Sequence, residues 1–284
     1  MRGRTVARTK RSRQGGVHAA LTRLWGAFLT VPQELIRGLY VTAIGLLPLV
    51  ARSRGVGQPP PRPCLLAVTH VGGFDVLFVA RAARQWRMRA VFNCDDRPLV
   101  LRLLFKAAWR YAVSADPARK KLLNRDTEAA VVRHLRSGGS VMVFPEGHRY
   151  WERRLYPGVA RIAYRAAVPI VPVGVANAYL YRAGSENERW GKAALRLVRE
   201  TRRRGSVEVH FGEPLVPRVG WPESEEVDRL MRAVEEWFGR FYQRFYGIEG
   251  PTWRRTSSAH DGATRDGGAS AVGCHLAPTA GGRA

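Results

Sequence analysis

Two short stretches of the chain combine residue types suited to acid–base and anion chemistry. The first is Thr69-His70-Val71-Gly72-Gly73-Phe74-Asp75, which continues from the apolar run beginning at Cys64. A histidine at the carboxyl end of a buried strand stands where α/β domains usually carry their reactive groups. Asp75 lies five residues later, in the first turn of the next predicted helix, and Gly72-Gly73 allow the sharp turn that folds its carboxylate back toward the imidazole. An aspartate bonded to one ring nitrogen fixes the tautomer and leaves the other nitrogen as a general base. A plainer account also fits: His70 satisfies a strand end and Asp75 sits at a helix dipole.

The second stretch is Val143-Phe144-Pro145-Glu146-Gly147-His148-Arg149, again directly after an apolar run. Pro145 ends strand pairing and Gly147 permits an unusual backbone angle, so Glu146 and Arg149 are expected to project from a tight loop. A guanidinium there suits bidentate binding of phosphate, and Glu146 suits anchoring a hydroxyl or orienting the arginine. A Glu–Arg ion pair in a strand-to-helix loop is the plainer alternative.

The elements that must position these loops alternate. Cys64 to Thr69, Met88 to Phe92, Ser140 to Phe144 and Ile170 to Val175 read as strands. Asp75 to Arg84, Pro98 to Trp109, Thr127 to Arg136 and Val159 to Ala167 read as helices. Short strands alternating with helices predict an α/β fold, a single domain with a largely parallel central sheet flanked by helices. Ala193–Arg199 and Ser206–Phe211 read as two further strands joined by a basic turn ending in Gly205. Glu223 to Tyr246 is an amphipathic helix with Val227, Leu230, Met231, Val234, Trp237, Phe238 and Phe241 on one face.

The expected organisation is a basic disordered tail over 1–16, amphipathic membrane-associating helices over 17–57, a Pro-rich linker over 58–63, the catalytic domain over 64–250 and a disordered tail over 251–284. Proline 32 is the break between predicted helices Ala19–Thr30 and Glu34–Leu47. The longest apolar run, Leu39 to Ala51, has 13 residues and contains Gly45 and Pro48, short of the ~20 that a spanning helix needs. An interfacial or re-entrant pair fits better, although a helix packed on the protein's own core has the same pattern.

The formal net charge is +24, which calls for an anionic partner. Residues 1–60 hold ten Lys or Arg against the single acid Glu34. Because these charges flank an apolar segment and no nucleic-acid motif is present, the expected partner is an anionic membrane surface and not a nucleic acid. The three cysteines, Cys64, Cys94 and Cys274, have no spacing for a zinc site or a disulfide framework. No metal is expected, and a reducing, cytoplasmic setting follows.

Taken together, the two motifs resemble those of the 1-acylglycerol-3-phosphate acyltransferase family, also called the glycerophospholipid acyltransferases. His70 and Asp75 fit its His-x4-Asp motif. Phe144, Pro145, Glu146, Gly147 and Arg149 fit its Phe-Pro-Glu-Gly-Thr-Arg motif. Val168-Pro169-Ile170-Val171-Pro172-Val173 is similar to the family element that shapes the acceptor side of the pocket, and Val209 to Leu215 to its closing strand and Gly-x-Pro turn. Three positions depart from the pattern: Thr69 replaces the usual Asn, His148 replaces Thr, and Ala115 stands where the family commonly has an Arg that Arg119, Lys120 or Lys121 would have to replace.

The resemblance implies that His70 deprotonates an acceptor hydroxyl while Asp75 orients it. The oxygen then attacks the thioester of acyl-CoA or acyl carrier protein without an acyl-enzyme, as a step in phospholipid biosynthesis. It also implies that Glu146, Gly147 and Arg149 hold a lipid acceptor, lysophosphatidic acid by default, with no cofactor beyond the acyl donor as co-substrate. The enzyme would work at the cytoplasmic face of the membrane as a peripheral or monotopic protein. The departures leave two alternatives open: a non-phosphate lipid hydroxyl (aminolipid, glycolipid or carotenoid-like) as acceptor, and a catalytically silent lipid-binding protein.

Overall fold

The computed structural model describes residues 52–72, 74–85, 88–93, 110–113, 117–147, 153–177 and 205–253, with isolated helical positions within 35–46 and 195–203. All belong to the first of the chain's two compact units, Met1–Arg254. The second, Arg255–Ala284, lies outside the described residues. So do the predicted helices Ala19–Thr30 and Pro98–Trp109, the predicted tail 1–16 and the second tail beyond 253; the start of that second tail, Pro251–Trp253, is ordered instead, with Thr252 bridged to Arg154.

One seven-stranded sheet organises the domain. Its strands are β1 (Ser53–Val56), β2 (Leu65–Val68), β3 (Arg89–Asn93), β4 (Arg110–Val113), β5 (Val141–Val143), β6 (Ile170–Ala176) and β7 (Val207–Phe211), in the spatial order β1-β7-β6-β2-β5-β3-β4. β6, β2, β5, β3 and β4 run parallel to one another. β7 is antiparallel to β6, and β1 is parallel to β7, so these two strands at one side of the sheet run in reverse. The expected α/β architecture with a largely parallel sheet is therefore what the chain builds.

β2 and β6 are buried along their whole length, which explains why they read as unbroken apolar runs. The helices are α1 (Asp75–Ala82), α2 (Pro117–Arg136), α3 (Gly158–Ala166) and α4 (Glu223–Tyr246). α1 packs on β1, β6 and β7, α2 on β4 and α3, and α4 on β6 and α3. The apolar face of α4 sinks Val227, Leu230, Met231, Val234, Phe238 and Phe241 into the core, and adds Tyr242. Close approach of α4 is possible because β6 carries Gly174: a Cβ there would lie 2.3 Å from the Phe241 ring.

Four features differ from the sequence expectation. Ser53–Val56 forms the edge strand β1, inside the stretch 17–57 read as amphipathic helices and ahead of the Pro-rich segment. β4 is a second additional strand. Helix α2 begins ten residues before the expected Thr127, at Pro117, whose fixed φ and missing N–H suit a first helical position. Finally, Leu195, Val198 and Arg199 are helical, where Ala193–Arg199 was expected to be a strand. Alanine, leucine and arginine are strong helix formers, and a lone Val198 does not outweigh them. Positions 35, 38, 39, 41, 42, 45 and 46 are helical, as expected for Glu34–Leu47, and Thr42 donates to the carbonyl of Gly38. Among the described residues no helix is long and apolar enough to cross a membrane.

Candidate active site

Topology brings the two motifs together. β2 and β5 are parallel neighbours with Ala67 opposite Val143, so His70 and Glu146 each lie three residues past one register pair. Both loops leave the carboxyl end of the parallel strands, where an α/β sheet opens a crevice.

At the end of β2 the chain turns through Val71-Gly72 into α1. The Asp75 carboxylate accepts the Gly72 N–H at 2.7 Å through Oδ2, and the same oxygen lies 3.4 Å from His70 Nδ1. Asp75 is 1% exposed, whereas the His70 side chain keeps 23% exposure. Asp75 makes no capping bond to α1, whose N-cap position, Phe74, has no side-chain cap either. The carboxylate is thus committed to the imidazole and its turn, which separates the acid–base account from the helix-capping one. Burial pushes the Asp75 carboxyl up, and the hydrogen bond with His70 works against that rise. The Phe144 ring lies 4.5 Å from the imidazole, centroid to centroid, and walls its other side.

Thr69 stands where the resemblance expects Asn. It is fully buried, and its hydroxyl accepts the Val175 N–H at 3.2 Å, tying β2 to β6.

The second loop corrects one expectation. Glu146 does not project: it is fully buried, with no surface to offer an acceptor. Its Oε2 accepts the backbone N–H of His70 at 3.2 Å, and its Oε1 accepts the Tyr242 hydroxyl at 2.7 Å. The turn responsible is closed by Gly147 N–H to Phe144 C=O at 3.0 Å and by Tyr156 N–H to Pro145 C=O at 2.8 Å. Gly147 has φ +71°, and a Cβ there would meet the Tyr156 ring at 2.6 Å, so the turn needs glycine on both counts. Burial raises the Glu146 carboxyl to about 8. The Tyr242 and His70 hydrogen bonds oppose the rise, and the nearby Asp75 adds to it.

His148, Arg149 and Ala115 lie outside the described residues, so the structure places only part of the predicted anion site. Arg119, Lys120 and Lys121 fall in the first turns of α2. Sequence reasoning missed Tyr242, which comes from α4 and is 96 residues from Glu146. Its only sequence signal is a position on the buried face of that helix, continuing the series Phe238 and Phe241.

A model of the Acyltransferase family matches residues 53–176. The crystal structure of the 1-acyl-sn-glycerophosphate (LPA) acyltransferase PlsC from Thermotoga maritima is similar with a TM-score of 0.41 and 18% identity, over 75% of this chain and 89% of that one. Comparison with curated proteins yields no significant match. The matched stretch runs from β1 to the end of β6 and holds both motifs; over it the chain is similar to the Acyltransferase family.

Proposed function

We propose that this protein transfers a fatty acyl group from acyl-CoA or acyl carrier protein to a hydroxyl of a lysophospholipid-like acceptor, with lysophosphatidic acid as the default. The observation that carries the proposal is the Asp75–His70 pair, at 3.4 Å, with Asp75 buried, uncommitted to its helix and next to a partly exposed imidazole. Asp75 accepts the Nδ1–H and so directs the lone pair of Nε2 to the acceptor. Nε2 takes the hydroxyl proton as the oxygen attacks the thioester carbonyl. The tetrahedral intermediate collapses with cleavage of the C–S bond, and the imidazolium returns its proton to the departing thiolate. Ester and thiol are the products, and the base is regenerated without an acyl-enzyme.

Gly147 and Arg149 are assigned to the acceptor headgroup, with Arg149 gripping a phosphate through its planar fork. Glu146 contributes from beneath, since both its oxygens are already engaged. The basic, apolar amino-terminal region ahead of β1 is assigned to an anionic membrane surface at its cytoplasmic face. The absence of an Arg at Ala115 favours one second reading, a neutral lipid hydroxyl as acceptor.

The test measures CoA release from palmitoyl-CoA with oleoyl lysophosphatidic acid in mixed micelles. His70→Ala is expected to lose about 10²- to 10⁴-fold in rate, the contribution of a positioned base, with an unchanged melting temperature. Asp75→Asn is expected to lower kcat far more than it changes KM. Near-normal transfer by both variants would sink the mechanism and leave a silent lipid-binding protein.

A further inference from the structure

We propose that Tyr242, on the carboxyl-terminal helix α4, is a positioning residue for the His70 base and acts through the Glu146 carboxyl group. The proposal rests on the assignment of His70 as base. Glu146 divides its two oxygens between the Tyr242 hydroxyl, at 2.7 Å, and the His70 N–H, at 3.2 Å. A chain of hydrogen bonds thus runs from α4 to the peptide that carries the imidazole. Both intermediates are inaccessible to water, Glu146 at 0% and Tyr242 at 1% exposure. Among the described residues the titratable groups facing Glu146 are Tyr242 from α4, Asp75 from α1 and His70 after β2, and none of the side chains acting on it there is a Lys or Arg. Burying an acid without a cation is costly, and a neutral side chain would fill the same space more cheaply. What the acid uniquely supplies is two strong acceptors, one on each side.

Helix α4 is well placed to hold its end of the chain. Tyr242 lies edge-on to Phe238 and Phe241, and Tyr246 packs beside it. One turn on, the Tyr246 hydroxyl donates to the Val175 carbonyl, while the N–H of Val175 is held by Thr69. The helix therefore grips the loop after β5 and strand β6, the two neighbours of β2 in the sheet. The strand end that presents His70 is fixed from both flanks.

The test compares full-length wild type with Tyr242→Phe, Glu146→Gln, Phe238→Leu and His70→Ala in the palmitoyl-CoA assay. It adds amide exchange of the peptide containing His70. Tyr242→Phe deletes only the donor, and its expected effects are a kcat about tenfold lower at pH 8, a KM within twofold of wild type and faster exchange at His70. The Tyr242 hydrogen bond opposes the rise of the Glu146 carboxyl, so its loss pushes that carboxyl higher. Any limb of the pH–rate profile that follows Glu146 ionisation should move to higher pH, and in Glu146→Gln it should vanish. Phe238→Leu, a core change on the same helix, should lower stability without moving the profile. Unchanged kcat, profile and exchange in Tyr242→Phe would overturn the proposal, as would the same shifts in Phe238→Leu. Full transfer by His70→Ala would instead overturn the base assignment, and exchange at His70 would still decide whether Tyr242 holds that peptide.

Discussion

Glu146→Gln should trade activity for stability in a way that depends on pH. The Glu146 carboxyl titrates at about 8 in the fold against an ordinary 4.5, chiefly because it is buried. A carboxyl raised by folding favours the folded state while both states are protonated, below about 4.5. That advantage is lost as pH rises toward about 8, because the unfolded chain ionises freely and the folded one does not. The gap between those two values corresponds to about 5 kcal/mol, most of it lost between pH 5 and pH 9. Glutamine carries no such penalty. Its amide nitrogen, however, must face one of the two donors, which costs about 1–3 kcal/mol at every pH. The variant should therefore be no more stable than wild type at pH 5 and more stable by about 2–4 kcal/mol at pH 9. For a chain of this size the difference in melting temperature should move in the variant's favour by about 8–16 °C across that range. Melting curves of both proteins in the same detergent at pH 5, 6, 7, 8 and 9 provide the check. Parallel curves, with a constant offset, would refute the reasoning that a buried acid sits under His70.

Gly174→Ala would drive a methyl group into the Phe241 ring, 2.3 Å away, and should destabilise by about 1–3 kcal/mol. Adding Phe241→Leu should restore part of the lost melting temperature. Removing residues 1–51 should leave a folded domain. Removing residues 1–58 also deletes β1, bares the edge of β7 and takes Arg54 from Glu208, so that protein should melt lower and aggregate. Arg149→Lys should raise KM for oleoyl lysophosphatidic acid by about ten- to a hundredfold, since lysine lacks the fork, and leave KM for the dephosphorylated monoacylglycerol unchanged. Equal use of the two acceptors by the unmodified protein would refute the phosphate role and favour a neutral hydroxyl lipid.

The parts of the fold legible in the sequence were those whose burial is uniform. β2, β5 and β6 are central, so their residues are apolar without alternation, and helix α4 shows its buried face at regular spacing. β1 and β4 escaped notice because they are edge strands of four residues. Ser53-Arg-Gly-Val carries little apolar content, and Arg110-Tyr-Ala-Val is too short to be told from the end of the helix expected over Pro98 to Trp109. The site divides in the same way. His70 and Asp75 are five residues apart and meet through one local turn, so spacing allows their contact, although it fits a helix-capping Asp75 as well. The inward turn of Glu146 depends on Gly147 and Tyr156, and its partner Tyr242 arrives from another element through tertiary packing, which no local pattern records.

The reversal of β1 and β7 bears on how the protein meets a surface. Had β1 run with the five parallel strands, the chain would have entered it at the far end of the sheet from His70. Instead β1 starts beside Val207, at the end where β6 finishes with Ala176 opposite Glu208. Ser53 therefore lies on the same rim as the His70 loop, three strand positions from β2, a sideways step of about 14 Å. Any tether upstream of Ser53 pulls on the reacting rim and not on its opposite pole. A lipid headgroup held at that tether's surface would have to travel sideways to reach the imidazole, but not around the molecule.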